Sequence, residues 1–206
     1  MIVIVDYGMG NLKSVANACR LLGKTVKISE SPAVLKKATK IIFPGVGHFG
    51  QAVKELKKRK LFALLREKVK EGVPFLGICL GMQILFEESE ESPGTKGLGL
   101  IKGKVKRFNN RSLAVPHMGW NQIKFQITNY KLQNSNIFKG IKEGDFFYFV
   151  HSYYCEPLDK SLVTTTTDYG VEFASSLNQK NLWAVQFHAE KSQSQGLKLV
   201  KNFLKL

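Results

Sequence analysis

The stretch from Val73 to Glu88 limits the folds open to this chain more than any other. Its first half is short, apolar and bounded by Gly72 and Pro74, which reads as a buried strand. Its second half carries Leu80, Met82, Ile84, Leu85 and Phe86 and reads as a helix packed on one face. Cys79 sits between the halves, with Gly77 two residues before it and Gly81 two after. This G-x-C-x-G pattern is the cysteine form of the nucleophile elbow, a sharp strand-to-helix turn with a strained central residue. Side chains two positions away would collide, so glycine is required there. A sulfur so placed lies at a helix N-terminus, a setting that favours an anionic nucleophile. A buried structural thiol is the competing reading of Cys79.

The flanking segments alternate strand and helix. Ile2 to Val5 reads as a strand, and Asp6 to Asn11 as a glycine-rich loop. Asn11 can cap a helix that ends at Gly23. Thr25 to Ile28 reads as a strand, Ser31-Pro32 opens a short helix, and Ile41 to Phe43 is an apolar run stopped by Pro44-Gly45. Gln51 to Glu71 is helical and basic, with a break near Lys60. Such alternation predicts an α/β fold: a mostly parallel central sheet with helices on both faces. From about Gly97 short strand-like runs take over: Leu98 to Phe108, Leu113 to Val115, Trp120 to Phe125, Phe146 to Val150, Ser161 to Thr167, Val171 to Leu177 and Leu182 to Phe187. They predict a small mixed or antiparallel sheet, followed by an amphipathic helix from Lys191 to Leu206. With 206 residues and no linker or repeat, one domain over 1–206 is expected.

Composition excludes other classes. A hydrophobic fraction of 44% suits a globular protein, and no apolar run approaches the roughly 20 residues of a bilayer span. The N-terminus reads as a strand and not as a signal peptide. Three distant cysteines without zinc-like spacing suit a reducing, cytoplasmic setting and predict no metal. The net charge of +15 raises the question of nucleic acid, but no DNA- or RNA-binding signature accompanies it, so a solvated basic surface is expected. Asp6 to Gly10 resembles the start of a dinucleotide fingerprint, yet its third glycine position holds Lys13, and no P-loop occurs. No cofactor is expected.

A cysteine nucleophile needs a base, a group to orient that base, and an oxyanion hole. Of the four histidines, His188 follows the apolar strand 182–187 and so sits at a strand end, as Cys79 does. Glu190, two residues on, can hold its tautomer, as the acid of a triad does. Oxyanion donors are available from the Leu80 N–H and from the loop Pro44-Gly45-Val46-Gly47. No role is expected for His48, and Cys19 and Cys155 read as spectators.

Leu76 to Gln83 taken with Gln186 to Ser192 resembles the class I glutamine amidotransferases. Within these, Asp6 to Leu12, Pro44 to Phe49, Pro116 to Asn121 and Val150 to Tyr153 resemble the glutaminase subunits of imidazole glycerol phosphate synthases, the family from histidine biosynthesis. The resemblance implies that Cys79 attacks the side-chain amide of L-glutamine, with His188 as base and then acid, and Glu190 orienting it. It implies that Val46 and Leu80 supply oxyanion N–H groups, and that Gly47, Gln83, Glu91, His151, Ser152 and Tyr153 hold glutamine. It places Asn11, Met118, Trp120, Asn121 and Lys191 on a face that docks a (β/α)8 cyclase subunit, which receives ammonia through a shielded channel.

The chain departs from the family pattern at Ala189, where the pattern has proline; a backbone N–H and some freedom return there. Its positive charge is also unusual for the family. Alternatives are a paralogue feeding ammonia to a sugar-modifying amidotransferase of surface polysaccharide synthesis, and an inactive binding module of the same fold.

Overall fold

The structure, a computed structural model, describes residues 1–109, 113–126 and 137–206. Four strands of nearly uninterrupted apolar sequence form the buried centre: β1 (Ile2–Val5), β3 (Lys40–Gly45), β4 (Phe75–Cys79) and β13 (Leu182–Val185). Strands buried on both faces need no polar alternation, and these four pair in parallel. With β2 (Val26–Ser29) at the edge they form the order β2-β1-β3-β4-β13.

Helices cover both faces, as expected. On one side, α2 (Pro32–Lys36), α3 (Phe49–Lys58) and α4 (Phe62–Lys70) pack Leu35, Val53, Leu56, Leu64 and Leu65 against Val3, Phe43 and Phe75. On the other, α1 (Leu12–Leu21) and the C-terminal α6 (Gln193–Lys205) pack Val15, Cys19, Leu199 and Phe203 against Ile4, Ile42 and Leu76. Asn11 caps α1, its side chain accepting from the Ser14 N–H at 3.3 Å. Lys60, with φ 59°, makes the break between α3 and α4.

The elbow helix is shorter than its hydrophobic pattern implies. It ends after one turn, α5 (Leu80–Gln83), and Phe86 already begins β5 (Phe86–Ser89). Met82 to Phe86 are all buried, so no polar face exists for a surface helix. The carbonyls of Ile84 and Leu85 bond instead to the N–H groups of Leu98 (2.7 Å) and Leu100 (2.9 Å).

Most second-half strands extend the main sheet. β6 (Ile101–Arg107), β10 (Tyr153–Pro157), β11 (Val163–Asp168) and β12 (Glu172–Gln179) join it, with β12 antiparallel to β13. The separate small sheet is an antiparallel ribbon of β7 (His117–Gln122) and β9 (Phe146–His151). The expected strand over 120–125 is split: β7 stops at Gln122, and β8 (Lys124–Phe125) pairs with β11. Residues 113–115 form no strand. Strands β5 and β10 lie outside the sequence expectation, β5 because its residues continue a helix-like apolar run.

Candidate active site

Three parallel strands end level with one another. Register pairs Gly45 of β3 with Cys79 of β4, and Val185 of β13 with Ile78, so Gln186 falls beside Cys79 and His188 lies two residues further. Cys79 has φ 55° and ψ −111°, a strained conformation of order 1–3 kcal/mol for a side-chain-bearing residue. The glycines around it are required by contact. A Cβ at Gly81 would overlap the Phe43 carbonyl oxygen, one at Gly45 the Tyr7 hydroxyl, and one at Gly77 would stand 3.0 Å from the Gly81 oxygen. Nucleophile, helix turn and neighbouring strand thus approach as backbone against backbone.

His188 and Glu190 are both buried, each with 2% of its side chain exposed, and His188 Nδ1 lies 2.8 Å from Glu190 Oε1. The carboxylate can only accept, so Nδ1 carries the proton. Among the described residues, Nε2 is buried without a conventional hydrogen-bond partner. Burial acts to lower the His188 pKa, but the Cys79 sulfur and the Glu190 carboxylate outweigh it and push it up to about 10. The turn is locked from behind: Ser192 Oγ donates to the His188 carbonyl at 2.7 Å and accepts from the Tyr148 N–H at 3.0 Å. Ala189 occupies the first position of a 3-10 turn, Ala189–Lys191, and is buried; the His188–Glu190 pair forms without proline there.

A cleft of about 380 Å³ opens over the sulfur, lined by Cys79, Leu80, Val46, Gly47, Gln83, Glu91, His151, Ser152 and Tyr153, together with Pro116 and Val150. Both residues expected at the oxyanion hole and all six expected to hold substrate therefore share one cavity. Pro116 and Val150 open the resembling segments 116–121 and 150–153, but no role is expected of either from the sequence. Glu91 accepts from the Phe49 N–H at 2.6 Å, which ties the cleft wall to the start of α3. His48 caps that helix, its Nδ1 accepting from the Gly50 N–H at 3.2 Å, and so has a structural task.

A hydrogen-bonded chain runs behind the cleft. Asn121 Nδ2 lies 2.8 Å from the Asp168 carbonyl and 3.3 Å from His117 Nε2, and His117 Nδ1 lies 3.0 Å from His151 Nε2. His151 Nδ1 reaches the Tyr153 carbonyl at 2.8 Å. A carbonyl only accepts, so His151 is protonated on Nδ1 and His117 likewise. Burial pushes both imidazoles down, His117 to about 4 and His151 to about 3.

The expected docking residues do not all share a face. Met118 and Trp120 are 62% and 45% exposed on the outer side of β7, and Lys191 Nζ lies 5.7 Å from the ring of Tyr148, which pairs with Trp120. Asn11 is exposed at the start of α1. Alternation along β7 turns the half-buried Asn121 side chain to the inner side, where its Nδ2 meets His117 Nε2 and the Asp168 carbonyl. Phe146, 50% exposed and paired with Gln122, belongs to the outer face instead.

Among the described residues no group of three or more His, Cys, Asp or Glu is placed to hold a metal ion, and no helix is long and apolar enough to cross a membrane. The family model "Glutamine amidotransferase class-I" matches residues 3–206. The chain is 45% identical over 209 residues to imidazole glycerol phosphate synthase subunit HisH 1 of Methanococcus maripaludis, covering 100% of both chains. It is 48% identical over 202 residues to the subunit HisH of Aquifex aeolicus, covering 98% of this chain and 94% of that one. Its fold is similar to a crystal structure of a glutamine amidotransferase (TM-score 0.76, 20% identity, 100% and 98% covered) and to PurLQS from Thermotoga maritima (TM-score 0.70, 17% identity, 99% and 97% covered). Elbow, paired base and acid, and full-length similarity agree: the chain belongs to the class I glutamine amidotransferases and, within them, to the imidazole glycerol phosphate synthase HisH subunits.

Proposed function

We propose that this chain hydrolyses L-glutamine to glutamate and ammonia as the glutaminase subunit of an imidazole glycerol phosphate synthase in histidine biosynthesis. The observation that carries the reading is the convergence, at adjacent strand ends, of Cys79 in the cleft lining with the buried His188–Glu190 pair. In this reading the Cys79 sulfur attacks the carboxamide carbon while its proton resides on His188 Nε2. The negative oxygen of the tetrahedral adduct is held by backbone N–H groups of Leu80 and Val46. His188 then passes the proton to the departing nitrogen, ammonia leaves, and a thioester remains. His188, neutral again, deprotonates a water that cleaves the thioester and returns the thiol. Gly47, Gln83, Glu91, His151, Ser152 and Tyr153 hold the amino-acid end of the substrate.

Free ammonia protonates in water and ceases to be a nucleophile. A (β/α)8 cyclase subunit docked on Met118, Trp120, Lys191 and Asn11 receives it through a shielded passage. There it reacts with a phosphoribulosyl substrate to give imidazole glycerol phosphate and aminoimidazole carboxamide ribotide. The test is labelling with a glutamine-like diazoketone: Cys79 should carry the label, and Cys79→Ser should lose glutaminase activity in the complex. Activity retained by Cys79→Ser would refute the nucleophile assignment. A cyclase partner whose phosphoribulosyl ligand leaves glutamine turnover unchanged would point to another acceptor.

A further inference from the structure

We propose that Gln186 is a catalytic residue: its side-chain amide donates a hydrogen bond to the Cys79 sulfur and holds the thiolate, with Gln83 acting as the positioning residue that aims it. This rests on the glutaminase reading of Cys79. Gln186 Nε2 lies 3.6 Å from Cys79 Sγ, and Gln186 is fully buried. Its backbone is held as well, the Gln186 N–H donating to the Ser175 carbonyl at 2.9 Å. Gln83 Nε2 lies 2.9 Å from the Tyr153 carbonyl and 3.2 Å from Gln186 Oε1.

The direction of every bond follows from chemistry. The two ends of an amide are interchangeable in outline, so the network has to assign them. The Tyr153 carbonyl cannot donate, so the group Gln83 presents to it is the NH2. The same NH2 meets Gln186, which must therefore offer its oxygen. The Gln186 NH2 is then left facing the sulfur, the one geometry in which the amide supports a sulfur anion. The carbonyl's second lone pair is taken by His151 Nδ1 at 2.8 Å, so neither glutamine has room to turn over.

The bond differs between states of the reaction. A thiolate is a strong acceptor and a thioester sulfur a poor one, so the amide stabilises the free nucleophile and loses that contact on acylation. Among the described residues, the titratable groups that act on the sulfur are His188 from beyond β13, Tyr7 from the loop after β1, and Cys155 from β10. Burial, with the nearby Cys79 charge, pushes Tyr7 and Cys155 up, so both stay protonated through neutral pH. A pH profile of Cys79 reactivity accordingly reads the Cys79–His188 pair and the neutral amide beside it.

The experiment measures alkylation of Cys79 by iodoacetamide against pH in the full chain, following the Cys79 peptide by mass spectrometry. Iodoacetamide needs no glutamine recognition, so its result stands apart from the glutaminase reading, which the diazoketone label tests. Gln186→Met keeps length and removes the donor. Loss of one charge-assisted hydrogen bond corresponds to about a tenfold change, so the alkylation midpoint should rise by about one pH unit. In the complex kcat/KM for glutamine should fall about tenfold or more near neutral pH, with the deficit shrinking as pH rises. Gln83→Met should move the midpoint in the same direction by less, and the double variant should match Gln186→Met alone. A folded Gln186→Met with an unmoved midpoint would overturn the proposal. If that variant does not fold, an unmoved midpoint in Gln83→Met overturns it instead.

Discussion

At the scale of single residues, the site depends on what is small as much as on what is reactive. Cys79 keeps its strained backbone because Gly81 and Gly45 let the Phe43 carbonyl and the Tyr7 hydroxyl come close. His188 shows how burial and charge compete, and the charges win. Part of that gain comes from Glu190, which mutation can remove. Glu190→Gln keeps shape but offers Nδ1 an amide in place of a carboxylate, so the imidazolium and the tautomer lose support. Glutaminase kcat in the complex should fall by about two to four orders of magnitude with little change in thermal stability, as steady-state kinetics beside a melting curve would register. Cys79, His188 and Glu190 were legible from residue type and neighbours. Gln186 opens the resembling segment 186–192, but nothing local marks a contact with sulfur; that signal is the β4–β13 register, which puts it beside Cys79.

At the scale of elements, the β7–β9 ribbon is two-sided. His117, Asn121, Phe147, Phe149 and His151 face inward, while Met118, Trp120, Phe146 and Tyr148 face outward. The inner face carries two histidines whose folded-state values lie below the ordinary 6.5, at about 4 and about 3. The folded protein therefore refuses protons that the unfolded chain accepts. The stability these groups contribute is present above about pH 6.5 and is lost as pH falls toward 4 and 3. Denaturant midpoints measured across that window should fall steadily with acidification. His117→Gln, which keeps a donor and an acceptor but does not titrate, should flatten the slope. Sequence periodicity showed that strands lie here but not which face Asn121 takes, since a one-residue offset in alternation inverts the assignment.

At the scale of the molecule, the densest basic run and the outward apolar residues of the ribbon lie on different elements. The dense basic run lies on the solvent side of α3, where Lys54, Lys57 and Lys58 are exposed while Ala52, Val53 and Leu56 are buried. That is the solvated face expected of it, outside the lining of the catalytic cleft. The outward apolar residues of the ribbon sit one strand pairing from His151, which lines the cleft. A partner pressed on that face touches the same ribbon that walls the cleft over Cys79. Trp120→Ala should weaken association with the cyclase subunit by about tenfold or more, consistent with an aromatic anchor, measured by titration calorimetry or co-purification against salt.

Sequence alone determined the class of fold and marked Cys79, His188 and Glu190 as the candidate nucleophile, base and acid. Each of these is written in local terms: apolar runs without alternation, glycines at fixed offsets, a histidine following a strand. Tertiary structure decided the rest. It cut the elbow helix to one turn, because the carbonyls of Ile84 and Leu85 found partners in the segment 98–101 instead of in a continuing helix. It turned Asn121 inward, brought Phe146 to the outer face, and aimed the Gln186 amide at sulfur. These outcomes depend on which strand lies beside which and in what register. The elbow declares itself from its own glycines, whereas a donor arriving from a strand over a hundred residues away is visible only once the sheet has closed.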